Sequence, residues 1–158
     1  MKIRKPSRLA AGGAVATVMV STIVAFEGMR LVPYRDVVKV LTVCAGETEG
    51  VIPGKRYTLQ ECREITLKGL ERYAAPVEAC ITRRPFPDTT FVAFVSLAYN
   101  IGHGGFCKSS VARLYNEGRT REACEAMMRF NRAGGVVWKG LTTRRAAERK
   151  LCLQGADL

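Results

Sequence analysis

A chain of 158 residues and 17.3 kDa carries a formal net charge of +11, with a pI near 9.8. The length supports one domain with a real core, and the charge favours anionic partners such as phospholipid headgroups or an acidic wall polymer. A nucleic-acid reader is not expected, because the cations are scattered and no helix-turn-helix or zinc spacing occurs.

In chain order, Lys2, Arg4, Lys5 and Arg8 precede Leu9 to Phe26, eighteen residues without a charge. A basic flank before an apolar run marks a signal peptide or a membrane anchor, and eighteen residues just suffice to span a bilayer. The run is rich in Ala, Gly, Ser and Thr and contains the pair Gly12-Gly13. Insertion should therefore be marginal. Two other readings compete. One is a cleaved signal with small residues at Ala14-Val-Ala16 or Val24-Ala25. The other is a buried helix, since Val15, Met19, Thr22, Ile23 and Phe26 recur at helical spacing. Cleavage near Ala25 would strip away the turns that precede Glu27. The favoured reading is a retained segment, first in the membrane and later a helix that positions Glu27.

Gly28 stops that helix and leaves Glu27 in its last turn. Pro33 forces an extended or turn segment, which carries Asp36 to a strand over Val37 to Thr42. A lone carboxylate is usually a solvated surface charge, and a lone Thr is a routine strand residue. Two carboxyls converging from different elements are what glycosidic hydrolysis requires: one gives a proton while the other stays ionised.

The stretch from Val37 to Tyr57 predicts a small hairpin or sheet with long turns. Thr58-Leu-Gln-Glu61 is a capping-box pattern opening a helix to about Ala74 or beyond, where Pro76 kinks or restarts it. Arg83 to Pro87 reads as a turn. A helix over Thr89 to Asn100 follows, with Phe91, Phe94, Val95 and Ala98 as its core face. Gly102 to Gly105 reads as a loop, Ser109 to Glu117 as a helix stopped by Gly118, and Thr120 to Asn131 as a helix capped by Thr120. Ser109 and Ser110 could be nucleophiles, but the plainer reading is that they cap the helix that follows. Gly134-Gly135 breaks the pattern before a last helix over Thr142 to Leu153. The fold class is α+β, a small sheet and a helical majority with the active cleft between them.

Six cysteines suit disulfides in an oxidising compartment such as the periplasm, with fifteen connectivities open. The pair most expected is Cys124 with Cys152, tying two C-terminal helices. Zinc is disfavoured, because no C-x2-C spacing occurs and His103 is the single histidine. A Cys107–His103 nucleophile pair lacks an orienting partner. Neither a metal nor an organic cofactor is expected.

The segment Phe26-Glu-Gly-Met-Arg-Leu-Val-Pro-Tyr-Arg-Asp36 resembles the catalytic signature of the phage-type lysozymes, glycoside hydrolase family 24, with the same Glu-to-Asp-to-Thr spacing. Phe94-Val-Ser-Leu-Ala-Tyr-Asn-Ile-Gly102, Gly105-Phe-Cys-Lys-Ser-Ser-Val111 and Gly140-Leu-Thr-Thr-Arg-Arg-Ala-Ala-Glu-Arg149 resemble later family segments in the same order. Together they extend the resemblance over residues 26 to 153. The resemblance implies that Glu27 is the general acid, Asp36 the second carboxylate, and Thr42 the residue that helps place water beside it. One departure stands out: Glu47 occupies a turn position where the family usually has His. The N-terminal segment is similar to the signal-anchor-release arrangement of some phage endolysins. The chain then divides into an anchor over residues 1–26 and a lysozyme-like catalytic domain over 27–158.

The expected activity is that of an endolysin, a muramidase hydrolysing peptidoglycan and lysing the host cell. The protein would be monomeric, held first at the host inner membrane and then released to the periplasm. Substrate contacts are expected from Asn100, from Trp138 stacking on a sugar ring, and from Arg145 toward peptide carboxylates. Each has a plainer reading: backbone hydrogen bonding for Asn100, a core or hinge role for Trp138, and pairing with Glu148 for the arginines. The functional alternatives are a lytic transglycosylase and a non-enzymatic cationic protein that disrupts membranes.

Overall fold

A computed structural model describes residues 5–158, so Lys2 and Arg4 of the basic flank lie outside the described residues. The chain forms two compact units. One comprises Arg8–Arg72, and the other comprises Tyr73–Leu158 joined by residues 5–7.

The first unit begins with a 3-10 turn over Arg8–Ala11, and Gly12 and Gly13 then take positive φ of 71° and 80°. This left-handed pair separates the turn from α1, Ala14–Glu27, which buries Ala16, Met19 and Ile23 along one stripe. Leu9, 1% exposed, is buried as well. Gly28, at φ 76°, ends α1 and donates its N–H to the Val24 carbonyl. Strands β1 (Arg30–Arg35) and β2 (Leu41–Cys44) pair antiparallel, with Tyr34 opposite Thr42 and a bulge between Arg30 and Tyr34. The expected strand over Val37 to Thr42 is corrected here: Val37 to Val40 form the hairpin turn, because the Asp36 side chain captures the amides of Val38 and Val40 and its carbonyl captures that of Lys39.

Helix α2, Leu59–Cys80, opens on the predicted capping box. The Thr58 hydroxyl accepts from Glu61 N at 3.1 Å, and the Glu61 carboxylate accepts from Thr58 N at 2.7 Å. Pro76 lies inside the helix without ending it. Val43, Cys44, Tyr57 and Cys62 form the local core, with Leu31 and Ile65 packed on it, and the Cys44–Cys62 disulfide fastens β2 to α2.

The second unit is helical: α3 (Asp88–Ile101), α4 (His103–Cys107), α5 (Ser110–Asn116), α6 (Thr120–Ala126) and α7 (Lys139–Ala156), with a short hairpin of β3 (Arg132–Ala133) and β4 (Val136–Val137). Helix α3 is buried all round from Thr90 to Ala98 rather than along one face. It packs against α7, where Gly155 permits close approach: a Cβ there would overlap the Thr90 hydroxyl. Phe86, Phe91, Phe94, Phe106 and Tyr115 make a continuous aromatic cluster with ring centroids 5.2–5.9 Å apart.

Ser109 caps α5 as expected, accepting from Ala112 N at 3.3 Å. Two expectations change: the Gly102 to Gly105 stretch is mostly helix α4, and the cap of α6 is Arg119 rather than Thr120. Gly134-Gly135 break the helical pattern as expected, by turning the β3–β4 hairpin. Disulfides join Cys80 to Cys107 and Cys124 to Cys152, the second being the pair expected to tie α6 to α7. Cys107 is thus a disulfide sulfur, which removes the Cys–His nucleophile reading.

Candidate active site

Glu27, Asp36 and Thr42 all lie in the Arg8–Arg72 unit. Glu27 is exposed at the last turn of α1, where the Gly28 stop turns the chain toward β1. Asp36 sits at the mouth of the β1–β2 turn. Its Oδ1 accepts from the N–H of Val38 and of Val40, both at 2.9 Å, an Asx-type turn that fixes the carboxylate plane and leaves Oδ2 outside these two bonds. Its own N–H donates to the Val40 carbonyl at 3.0 Å.

Thr42 is 3% exposed, and its hydroxyl donates to that same Val40 carbonyl at 3.0 Å. Both side chains are therefore referenced to one peptide residue, Val40. With its proton committed to a carbonyl, the Thr42 oxygen keeps its lone pairs for accepting a hydrogen bond. Nothing in residue type marked Val40 for this role. Lys39 completes the turn at φ 67°, held by Arg35 donating to its carbonyl at 2.9 Å.

Glu47, at the position where the family usually has His, makes an ion pair of its own. Its carboxylate is almost fully buried and accepts from Arg72 at 3.0 Å, while Arg72 reaches Glu49 at 2.6 Å with its other nitrogen. Burial pushes the Glu47 carboxyl above its ordinary value of 4.5, with Arg72 opposing. A folded-state pKa above the unfolded one means that the folded chain holds this proton more tightly. The contribution of Glu47 to stability is then complete below the unfolded pKa and is lost as pH rises through the folded value. Thermal unfolding of the wild type and of Glu47→Gln between about pH 4 and about pH 7 should show the wild type losing ground as pH rises. The reverse trend would mean that Arg72 outweighs burial.

The expected substrate contacts fall in the other unit. Asn100 is exposed in the last turn of α3. Trp138 is 57% exposed, which overturns the core reading, and its indole N–H donates to the Ala133 carbonyl at 3.2 Å, fixing the ring on the β3–β4 hairpin. Arg145 is corrected. Its side chain is 0% exposed with Nε 2.7 Å from Glu148, and a group without surface cannot touch a polymer. The plainer reading of that motif is the right one.

The Phage lysozyme family profile matches residues 24–148. The chain belongs to the phage lysozyme family. It is a glycoside hydrolase of the endolysin group. This lysozyme is 45% identical over 130 residues to the SAR-endolysin of Bacteriophage PS119, covering 82% of this chain and 77% of the relative. It is 39% identical over 160 residues to the SAR-endolysin of Enterobacteria phage P21, covering 97% and 96%. Among solved structures, the active form of P1 phage endolysin Lyz superposes with a TM-score of 0.80 at 28% identity, covering 94% of this lysozyme and 90% of Lyz. That likeness establishes the lysozyme-like α+β fold.

Proposed function

We propose that the enzyme is a muramidase, hydrolysing the β-1,4 bond between N-acetylmuramic acid and N-acetylglucosamine in peptidoglycan. The observation that carries this reading is the shared anchoring of Asp36 and Thr42 on Val40. In this reading a carboxylate oxygen of Asp36 and the Thr42 hydroxyl oxygen hold one water, as hydrolysis at a sugar carbon needs. Glu27, on a separate element, gives its proton to the leaving glycosidic oxygen. The water, deprotonated toward Asp36, adds to the anomeric carbon, and the C–O bond to the leaving sugar breaks. Lipid-free peptidoglycan sacculi test this against membrane disruption. Release of soluble fragments is the expected result. Intact sacculi alongside leaking vesicles would favour the cationic membrane reading.

We also propose that residues 9–26 lie in the inner membrane before release, in keeping with the SAR-endolysin names of its relatives. No helix among the described residues is long and apolar enough to cross a membrane. A spanning state would therefore need the left-handed Gly12-Gly13 break to become helical. The Thr17 and Thr22 hydroxyls already donate to carbonyls four residues back, at 3.2 and 2.8 Å, so α1 carries few orphaned donors into lipid.

Replacing Gly12 and Gly13 by Leu should trap the protein in the membrane fraction. Each Leu adds about −0.3 to −0.6 kcal/mol toward insertion, and L-residues at those φ values cost about 1–2 kcal/mol each in the released form. Fractionation and lysis assays check this. A variant still released and lytic would contradict the anchored state.

A further inference from the structure

The turn after β2 holds a carboxylate in a seat shaped for it. Glu47 is 4% exposed, so it does not contact a wall polymer. Its backbone exchanges two hydrogen bonds with Val43, N–H to carbonyl in both directions, at 2.8 and 2.9 Å. Val43 follows Thr42 in β2, and Cys44 after it is fastened to α2 by its disulfide. The Glu47 side chain crosses to α2, where it pairs with Arg72 at 3.0 Å and lies against Gly69. A Cβ at Gly69 would overlap both carboxylate oxygens, so only glycine leaves room for this carboxylate.

We infer that Glu47 is a positioning residue for the water site, fixing the height of β2 on α2 and thereby the place of the Thr42 oxygen beside Asp36. The inference rests on the assignment of Thr42 and Asp36 to the water. Strand β2 is held in register by β1 and tied to α2 by the Cys44–Cys62 bridge. The carboxylate adds a second, non-covalent fixation on the far side of Val43. A water-placing hydroxyl tolerates little drift, since misplacement by about 1 Å costs on the order of a hundredfold in rate.

The test uses Glu47→Ala, Gly69→Ala and Thr42→Ala in the full chain, with kcat and KM measured on soluble peptidoglycan fragments well below the melting temperature. Gly69→Ala keeps every functional group and favours the helix, yet it expels the Glu47 carboxylate from its seat. The expected result is a drop of about ten- to a hundredfold in kcat for Glu47→Ala and for Gly69→Ala, with KM little changed. Neither substitution should lower activity much further once Thr42 is Ala, because all act through one oxygen. If Thr42→Ala is inactive while both other variants keep full kcat, the inference falls and the water assignment stands. If Thr42→Ala itself keeps full kcat, the water assignment falls and the inference with it. Losses that add fully to that of Thr42→Ala overturn positioning in favour of a general structural role.

Discussion

Glu27→Gln should lower peptidoglycan hydrolysis by about 10²- to 10⁴-fold, the range over which a positioned general acid acts. Gln has nearly the shape of Glu but no proton to give at the moment the glycosidic bond breaks. The exposed place of Glu27 at the end of α1 means the swap buries nothing and empties nothing. Loss of a charged contact on an exposed surface costs up to about 1 kcal/mol, so thermal stability should fall by no more than that. Sacculus solubilisation and a melting curve on the same preparation check both halves. Retained hydrolysis would move the acid to another residue. Lost hydrolysis together with a large drop in melting temperature would make Glu27 a structural group.

Glu148→Ala should be the most damaging single change to stability, costing about 3–5 kcal/mol. Glu148 is fully buried between two arginines and a serine. Its Oε1 accepts from Ser96 at 2.6 Å, from Arg145 at 3.0 Å and from Arg144 at 3.2 Å. Arg144 also donates to the Ser96 carbonyl at 3.2 Å, so the network couples α7 to α3. Removing the carboxylate takes its acceptor oxygens away from two buried guanidiniums, and guanidinium does not escape by losing a proton. For a protein of this size, each kcal/mol shifts the melting temperature by about 2–4 °C. A fall of about 10 °C is expected in a thermal scan, and a fall under about 3 °C would mean that water reaches the stranded arginines.

How far the sequence disclosed the molecule follows from where each signal lived. Features written in local chemistry could be read directly: the Gly28 stop, the Thr58–Glu61 capping box, the Ser109 cap and the Cys124–Cys152 pairing of two neighbouring helices. Asp36 was legible as a candidate, but its surroundings were not. The β-branched run Val37 to Val40 looks like strand, and what makes it a turn is a side-chain carboxylate collecting backbone amides. Helix α4 hid behind Gly104 and Gly105, because tertiary packing and the Cys80–Cys107 disulfide override the low helix propensity of glycine.

Arg145 was readable two ways, since an Arg-Arg pair offers the same pattern whether it faces a polyanion or a buried Glu. Burial alone decides, and a sequence does not print burial. The seat of Glu47 was invisible for a related reason: its partners Gly69 and Arg72 are more than twenty residues away, on another element.

The most direct test is the chemistry of the new chain ends after digestion of peptidoglycan in water enriched in oxygen-18. Acid catalysis by Glu27 and water delivery by Asp36 and Thr42 predict reducing N-acetylmuramic acid ends, each carrying one heavy oxygen by mass spectrometry. Anhydro ends without the label, or label at the reducing end of N-acetylglucosamine, would contradict it.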